Sequence, residues 1–250
     1  MAQHPISAPP TPPSRLGRRL VQLFAGLMLY GASMALLIRS QLGNTSWDVL
    51  HQGLARQLDV SIGTIVIAVG VIVLLLWIPL RERPGFGTVS NVVVIGLAVD
   101  VTLAVLPVTG ALPVRVLLAG AGIVLNAVAT AAYIGARLGA GPRDGLMTGL
   151  VRRTGRSVRL VRTVIEAGVV ATGWLLGGTL GVATVLYALA IGPLVQLFLP
   201  RLTVPGDTPR DQSAPAVTLG TSAGPGRKPI GRGQSCRCGS EPPPDRWPYS

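Results

Sequence analysis

Six long apolar runs are the feature that most constrains how this chain folds. They show neither the alternation of a β-strand nor the polar stripe of an amphipathic helix, so the solvent that suits them is lipid. A helix needs about 20 apolar residues to cross a hydrocarbon core of ~30 Å, and each run approaches that length. The sequence therefore predicts an all-α integral membrane protein with six transmembrane helices. The runs cover residues 20–38, 62–80, 88–106, 116–136, 160–176 and 182–199.

The scarcity of charge, histidine and cysteine excludes several enzyme classes. Charged residues make up 13% of the 250 positions, whereas a soluble domain carries charge at about a quarter of them. The two histidines, His4 and His51, stand far apart, and Cys236 and Cys238 both fall near the polar end of the chain. A zinc site or a histidine-based triad lacks the side chains it needs. We therefore expect no enzyme, no catalytic residues, no metal and no cofactor.

Arginine placement predicts the side of the membrane on which each connection lies. Arginine is abundant in the segment 137–159, whereas the connection at 39–60 holds only Arg39 and Arg56. Because Lys and Arg are retained on the cytoplasmic side during insertion, both termini are expected in the cytoplasm of a cell-membrane protein. The same pattern accounts for the net charge of +12 without nucleic acid as a partner. It favours contact between the basic segments and anionic lipid headgroups.

The two ends of the chain lack the apolar periodicity of the middle. Residues 1–14 are rich in Pro, Ser and Thr, and they are predicted to form a disordered N-terminal leader. Residues 201–250 are dominated by Pro, Gly, Ser and Arg, and they are predicted to form a disordered basic cytoplasmic tail. The membrane part is expected to lie between these two segments.

The membrane part contains an internal repeat. A shift of 96 residues aligns residues 16–103 with residues 112–199 and pairs Asp48 with Asp144. The first repeat is therefore placed at 15–106 and the second at 112–200. Each half holds three spans, and an odd number of spans forces the second half to cross the membrane in the opposite sense. The arginine pattern agrees with that inversion. The sequence thus predicts two inverted three-helix repeats, an architecture common among secondary transporters.

A paired motif predicts a short additional helix in each repeat: Leu-Gly, four residues, Asp, one residue, Leu, two residues, Gly-Leu. Its first glycines, Gly43 and Gly139, suit the left-handed conformation that ends a helix. The helices that follow, 47–58 and 143–154, are too short to cross the core, so we expect them to be interfacial or re-entrant. The acids of the motif either share a function or stabilise the first turn of these helices, and the second interpretation is favoured. The motif residues are Asp48, Gly53, Asp144 and Gly149.

Three strings of this sequence resemble a family of bacterial integral membrane proteins, the YczE/YyaS/YitT-like family. They are LGNTSWDVLHQGL at 42–54, GFGTV at 85–89 and LGAGPRDGL at 138–146. The resemblance covers residues 15 to 200. It implies a membrane protein with several spans, and it implies no particular substrate and no catalytic residue.

Two acids within the spans are candidates for a substrate-binding site, because charge inside a membrane is costly and often functional. Asp100 lies in the third run, and its counterpart in the second repeat is Gln196. The structural alternatives for Asp100 are that it reaches the outer interface or is held protonated by a neighbouring helix. Glu166 lies near the start of the fifth run, four residues after Arg162. An ion pair on one helix face is the favoured interpretation of that spacing.

A polar stripe in the fourth run adds a further candidate. Asn126, Thr130 and Tyr133 follow helical spacing within an otherwise apolar segment. Hydrogen bonding between helices explains such a stripe as well as a solute path does. The candidate substrate-binding residues are Asp100, Asn126, Glu166 and Gln196.

Two functions fit these patterns. The first is a small-solute permease or solute-binding membrane protein, with a small-molecule solute bound between the two repeats. The alternative is a non-transporting accessory or regulatory protein that acts on a partner through the basic segment 137–159 and the tail. Small-residue spacings at Gly173, Gly177 and Gly181 allow close helix approach within the chain, in a homo-oligomer or with another protein.

Overall fold

A computed structural model describes residues 16–203, and the regular secondary structure of this part of the chain is all α-helix. The predicted leader at 1–14 and nearly all of the predicted tail, with His4, Cys236 and Cys238, lie outside the described residues. Eight helices follow one another: α1 Leu16–Ser40, α2 Ser46–Leu58, α3 Ile62–Leu80, α4 Phe86–Val105, α5 Leu112–Gly135, α6 Pro142–Thr154, α7 Val158–Leu175 and α8 Val182–Leu202.

Five of these helices are long and apolar enough to cross a membrane: α1, α3, α4, α5 and α8. The remaining predicted span, 160–176, corresponds to α7, which is helical over 18 residues. Its first half carries Arg159, Arg162 and Glu166. Three charges within a helix of that length raise its cost of insertion into lipid. Length and hydropathy therefore identify five candidate spans in the described part of the chain, with α7 outside that set.

The two short helices begin within one residue of their predicted starts, and both have defined first turns. Thr45 is the N-cap of α2, and its side chain accepts a hydrogen bond from the Asp48 amide at 3.3 Å. Asp48 therefore lies in the first turn of α2 as expected, where its negative charge interacts favourably with the positive end of the helix dipole. Pro142 occupies the first turn of α6, a position that needs no amide donor. At 13 residues each, the helices reach only ~20 Å and do not cross a ~30 Å core.

Helix starts recur at a spacing of 96 residues. Helices α1 to α4 begin at residues 16, 46, 62 and 86, and α5 to α8 begin at 112, 142, 158 and 182. The connections after α1 and α5 also begin with the same backbone conformation, since φ is 54° at both Gln41 and Arg137. Those two residues take the left-handed role that the sequence assigned to Gly43 and Gly139. The reason is that each preceding helix ends before its glycine.

Gly43 and Gly139 have φ values of 126° and 142° and lie against the first turn of another helix. A Cβ on Gly43 would lie 2.6 Å from the Thr184 hydroxyl, and one on Gly139 would lie 2.9 Å from the Thr88 hydroxyl. Two equivalent hydrogen bonds hold these contacts. The Ala183 amide donates to the Leu42 carbonyl, and the Gly87 amide donates to the Leu138 carbonyl, both at 2.9 Å.

Helix α1 packs along α5 in the antiparallel direction. Gln22, near the start of α1, donates to the Ala132 carbonyl near the end of α5 at 2.9 Å. Arg115, near the start of α5, donates to the Ser40 carbonyl at the end of α1 at 2.7 Å. Helix α4 packs beside α1 and α8 beside α5. The apolar core between α1, α3, α4 and α5 contains Leu23, Leu27, Met34, Ile38, Val66, Ile95, Val99, Tyr133 and Ala136.

The two halves differ in how their last two helices pack. Helix α3 packs along α4, but the equivalent helices α7 and α8 do not pack along each other. Helix α7 instead contacts α2 and α6, and α3 contacts α6 and α2. Each short helix is thus held mainly by a long helix of the other half. This crossed arrangement brings the beginnings of α2 and α6 together.

Candidate functional site

A cavity of about 240 Å³ lies where α2 and α6 begin. The first of these helices contributes Thr45, Ser46 and Trp47, and the second contributes the segment 141–144. Backbone amides in the first turn of a helix have no acceptor within the helix, and the helix dipole makes this end positive. Two helix N-termini therefore direct amide donors and positive potential into one cavity.

Arg143 carries the main positive charge of the cavity. Its guanidinium lies over the Trp47 ring, 4.9 Å from the ring centroid, and its Nη2 lies 3.9 Å from the Asp48 Oδ1. The side chain is 31% exposed, and within residues 16–203 its guanidinium donates no hydrogen bond. A stacked and charge-paired guanidinium with free donors is prepared to bind an anionic group.

Asp48 and His51 form a buried pair behind Arg143. Both side chains are almost fully buried, and the His51 Nδ1 lies 3.4 Å from the Asp48 Oδ1. Neither oxygen of Asp48 has a hydrogen-bond donor within the described residues. Burial lowers the pKa of His51, and this effect outweighs the opposing influence of Asp48. His51 is therefore neutral near pH 7, and Asp48 balances the charge of Arg143.

Acid is expected to destabilise the protein through His51. The unfolded chain binds a proton at His51 near its ordinary pKa of 6.5, whereas the folded chain does so only at lower pH. Between these two values the unfolded state holds more protons, so stability falls as pH decreases below about 6.5. The thermal midpoint of purified protein, measured from pH 7.5 to 5, is expected to fall less in His51→Gln than in the wild type. Equal slopes in the two proteins would contradict the assignment, and His4→Gln serves as the control.

All three tyrosines of the described residues line the cavity: Tyr30, Tyr133 and Tyr187. The Tyr187 hydroxyl donates to the Asn126 Oδ1 at 2.8 Å, and the Tyr133 hydroxyl donates to the Asp144 Oδ2 at 3.4 Å. The rings of Tyr30 and Tyr133 meet edge to face, with centroids 6.2 Å apart. Aromatic residues are only 4% of the chain, so this concentration marks the cavity as a specialised surface.

Charged side chains from α6 and α7 also line the cavity. Asp144 is exposed to solvent, and Arg162 and Glu166 both line the cavity. The Arg162 Nε lies 3.9 Å from the Glu166 Oε1, which confirms the predicted ion pair. Their side chains are 64% and 37% exposed, so solvent weakens this pair and leaves both groups accessible to a ligand.

The structure brings some of the sequence-predicted site residues together and separates others. Glu166 and Asp144 line the cavity, and Asp48 lies directly behind it. Asn126 does not line the cavity but is buried behind Tyr187. It donates a hydrogen bond to the Ser33 hydroxyl at 2.8 Å and accepts one from the Tyr187 hydroxyl. Asp100 and Gln196 are not among the residues that line the cavity, and Gln196 is exposed on α8. Gly53 packs against Gly173, and Gly149 packs against Leu80.

Asp100 caps the start of α3. Its carboxylate accepts hydrogen bonds from the Ser61 hydroxyl at 2.6 Å and from the Gly63 amide at 2.8 Å. Ser61 is itself the N-cap residue of that helix. The acid thus satisfies an amide in the first turn of α3 and reinforces the side chain that caps the helix.

Asp100→Asn is expected to lower stability without affecting the cavity. The change removes the negative charge and leaves one acceptor for two donors, a loss of about 1 kcal/mol. The measurement is the thermal midpoint of purified protein together with labelling of a cysteine placed at Met147 in the cavity. An altered labelling rate at an unchanged midpoint would contradict the capping role.

The arginine-rich segment in and after α6 makes contacts within the protein. Arg152 pairs with Glu82 at 2.8 Å and donates to the Leu80 carbonyl at 3.1 Å. Arg153 donates to the Pro79 carbonyl at 2.9 Å. These arginines donate hydrogen bonds to carbonyls at the C-terminus of α3, where their positive charge also interacts favourably with the negative end of the helix dipole.

Sequence reasoning missed Arg143, Trp47, His51, Tyr30 and Tyr187 as site residues. In the sequence, Arg143 is one of several arginines in a segment that predicts topology, and Tyr30 and Tyr187 fall within apolar runs. The available signal was position: Trp47 and Arg143 are the second residues of the two short helices. Within the described residues, no group of three or more His, Cys, Asp or Glu side chains is arranged to hold a metal ion.

Comparison with known proteins gives relatives over the helical part of the chain. A family of unknown function, DUF6198, matches residues 17–200. An uncharacterized protein of Haemophilus influenzae is 42% identical over 179 residues, which cover 72% of this chain and 82% of the relative. The uncharacterized membrane protein YczE of Bacillus subtilis is 31% identical over 180 residues, 71% of this chain and 84% of YczE. The uncharacterized protein YyaS of the same organism is 25% identical over 179 residues, 70% of this chain and 89% of YyaS. No solved structure matches the chain.

Proposed function

We infer that this chain, which belongs to the DUF6198 family of YczE- and YyaS-like membrane proteins, is a permease for a small solute. The observation that carries the proposal is the cavity at the meeting point of α2 and α6. Helices that begin inside a bundle and direct their N-termini at a central site are a recurring device of secondary transporters. Charged side chains among the helices of a membrane protein are costly, and they commonly mark the path of a polar solute or ion.

In this proposal the membrane part has six spans, formed by α1, α3 and α4 in one repeat and by α5, α7 and α8 in the other. The matching helix starts and the antiparallel contact of α1 with α5 support the inversion. The charged first half of α7 faces the cavity through Arg162 and Glu166, which lowers the cost of placing it in a membrane. Both termini lie in the cytoplasm, in agreement with the arginine distribution.

The unequal packing of the two halves supports a transport cycle. Helices α3 and α4 pack along each other, whereas α7 and α8 do not. In this proposal the two repeats exchange these packing arrangements. A conformation in which α7 and α8 close while α3 and α4 separate would expose the cavity to the opposite side. Alternating access of this kind follows from rocking one repeat against the other around a fixed site.

The test of the permease is whether one cavity residue is reachable from both sides of the membrane. Cys236 and Cys238 are first changed to Ser, and Met147→Cys then places a single thiol in the cavity. We expect a membrane-impermeant maleimide to label this thiol in right-side-out and in inside-out vesicles. Gly110→Cys and Arg83→Cys, both exposed in connections, are controls expected to label from the outside only and from the inside only. Labelling of Met147→Cys from a single side at every time point would contradict alternating access.

A further inference from the structure

The cavity is lined by charges of both signs. Arg143 and the two helix N-termini contribute positive potential. Asp144 and Glu166 contribute carboxylates, and both are accessible to solvent. A solute that carries a negative group and a positive group has a partner for each of them here.

The charges of the cavity nearly cancel. The carboxylates of Asp48, Asp144 and Glu166 exceed the guanidiniums of Arg143 and Arg162 by one. Each helix N-terminus adds about half a positive charge, and the two together offset that excess. A ligand with a net charge would leave an unbalanced charge near the buried Asp48, which is unfavourable. The balance therefore favours a ligand whose own charges cancel.

The unused hydrogen-bonding groups specify which charges the ligand carries. The Arg143 guanidinium has free donors in a planar fork, which matches the two oxygens of a carboxylate. Asp144 accepts a long hydrogen bond from Tyr133 at 3.4 Å, and Glu166 has a distant ion-pair partner at 3.9 Å. Both retain acceptor oxygens for the N–H donors of a protonated amine.

The volume restricts the size of the ligand. A cavity of about 240 Å³ is slightly smaller than the ~300–1,000 Å³ of most ligand pockets, so it suits a small metabolite. The apolar part of the lining, Val69, Val73 and Ile95 among others, offers a surface for a short aliphatic side chain.

We propose that the cavity binds a small zwitterion of the amino-acid type, with its carboxylate on Arg143 and the helix N-termini and its amine between Asp144 and Glu166. This inference rests on the proposed permease function, because it names the solute class that the same cavity takes. The carboxylate is held by a stacked guanidinium, and the aliphatic side chain packs on α3 and α4.

The experiment measures ligand-induced stabilisation and calorimetric affinity of the full chain purified in detergent. The probes are the standard protein amino acids, with L-valine compared with isobutylamine, which lacks the carboxylate, and 3-methylbutanoate, which lacks the amine. Glucose and glycerol are the uncharged probes. We expect at least one amino acid to bind, and each single-charge analogue of a bound amino acid to bind at least ~10-fold more weakly.

Variants of the cavity residues test which side chains bind the carboxylate of the ligand and which bind its amine. Arg143→Lys retains the charge but not the fork, and we expect it to weaken amino-acid binding by ~10-fold or more. Glu166→Gln and Asp144→Asn are expected to weaken amino-acid binding while leaving the carboxylate analogue unaffected. Arg156→Gln, an exposed change outside the cavity, is the matched control and is expected to bind as the wild type does.

Three outcomes would overturn the proposal that the cavity binds a zwitterion. They are binding of no amino acid, equal affinity for a single-charge analogue, and amino-acid binding that Arg143→Lys leaves unchanged. Stabilisation by glucose or glycerol alone would overturn it while leaving a solute site intact. The proposed permease function is tested separately by labelling of Met147→Cys from both sides of the membrane, an experiment that needs no knowledge of the ligand.

Discussion

Arg143→Gln is expected to abolish solute binding and transport. The change removes the guanidinium that lines the cavity and leaves Asp48, which is 1% exposed, without its opposite charge. The buried carboxylate of Asp48 loses its charge partner, which lowers the free energy of unfolding. Each of the two hydrogen bonds that the guanidinium fork donates to a charged ligand is worth about 1.5–3 kcal/mol. The expected result is affinity reduced by at least ~100-fold, together with a lower thermal midpoint.

A second variant separates these two effects. In the double variant Asp48→Asn, Arg143→Gln no uncompensated charge remains, so we expect the thermal midpoint to recover while solute binding stays lost. Calorimetry and thermal unfolding of the two variants and the wild type make the comparison. Normal solute affinity in either variant would contradict the role of Arg143.

Gly145→Val is expected to have the largest effect on the fold. A Cβ at this position would lie 2.0 Å from the Trp77 ring, which is 3% exposed and has no free space to move into. The Trp77 Nε1 also donates to the Pro142 carbonyl at 3.0 Å, a bond that fixes the start of α6 against α3. Overpacking costs about 1–3 kcal/mol, and the lost hydrogen bond adds about 1 kcal/mol.

The measurement for this variant is the thermal midpoint together with the yield of monodisperse protein in detergent. We expect the midpoint to fall and the cavity to lose affinity, because α6 carries Arg143 and Asp144. Gly120→Val is the matched control, since nothing lies within 4 Å of a Cβ at that position. Partial recovery is expected when Trp77→Leu accompanies Gly145→Val, because the smaller side chain relieves the clash. Equal stability of Gly145→Val and the wild type would show that the Trp77 contact does not position α6.

The helices were predictable because each has a local cause. Apolar runs of spanning length predict five of the long helices, and the paired motif predicts both short ones. Helix α7 is the instructive case. A single sequence shows the cost of Arg162 and Glu166 but not the cavity that they face, so its place among the spans depends on a tertiary arrangement.

The site was only partly predictable, because the same residue type serves different purposes in different surroundings. Asp100 and Glu166 look alike in the sequence, as single acids in apolar runs. Asp100 caps α3 through Ser61 and Gly63, whereas Glu166 faces the cavity. Arg143 looks like one more topological arginine until the crossed packing of α3 with α6 and of α2 with α7 places it over Trp47.

The most direct test of the permease is an unbiased release assay in proteoliposomes. Vesicles are loaded with a mixture of amino acids, organic acids, amines, sugars and polyols, and the external medium is followed by mass spectrometry. We predict that wild-type protein releases at least one solute faster than protein-free vesicles do, and that Arg143→Gln releases it no faster than they do. Release of every solute at the protein-free rate by correctly folded wild-type protein would contradict the permease function.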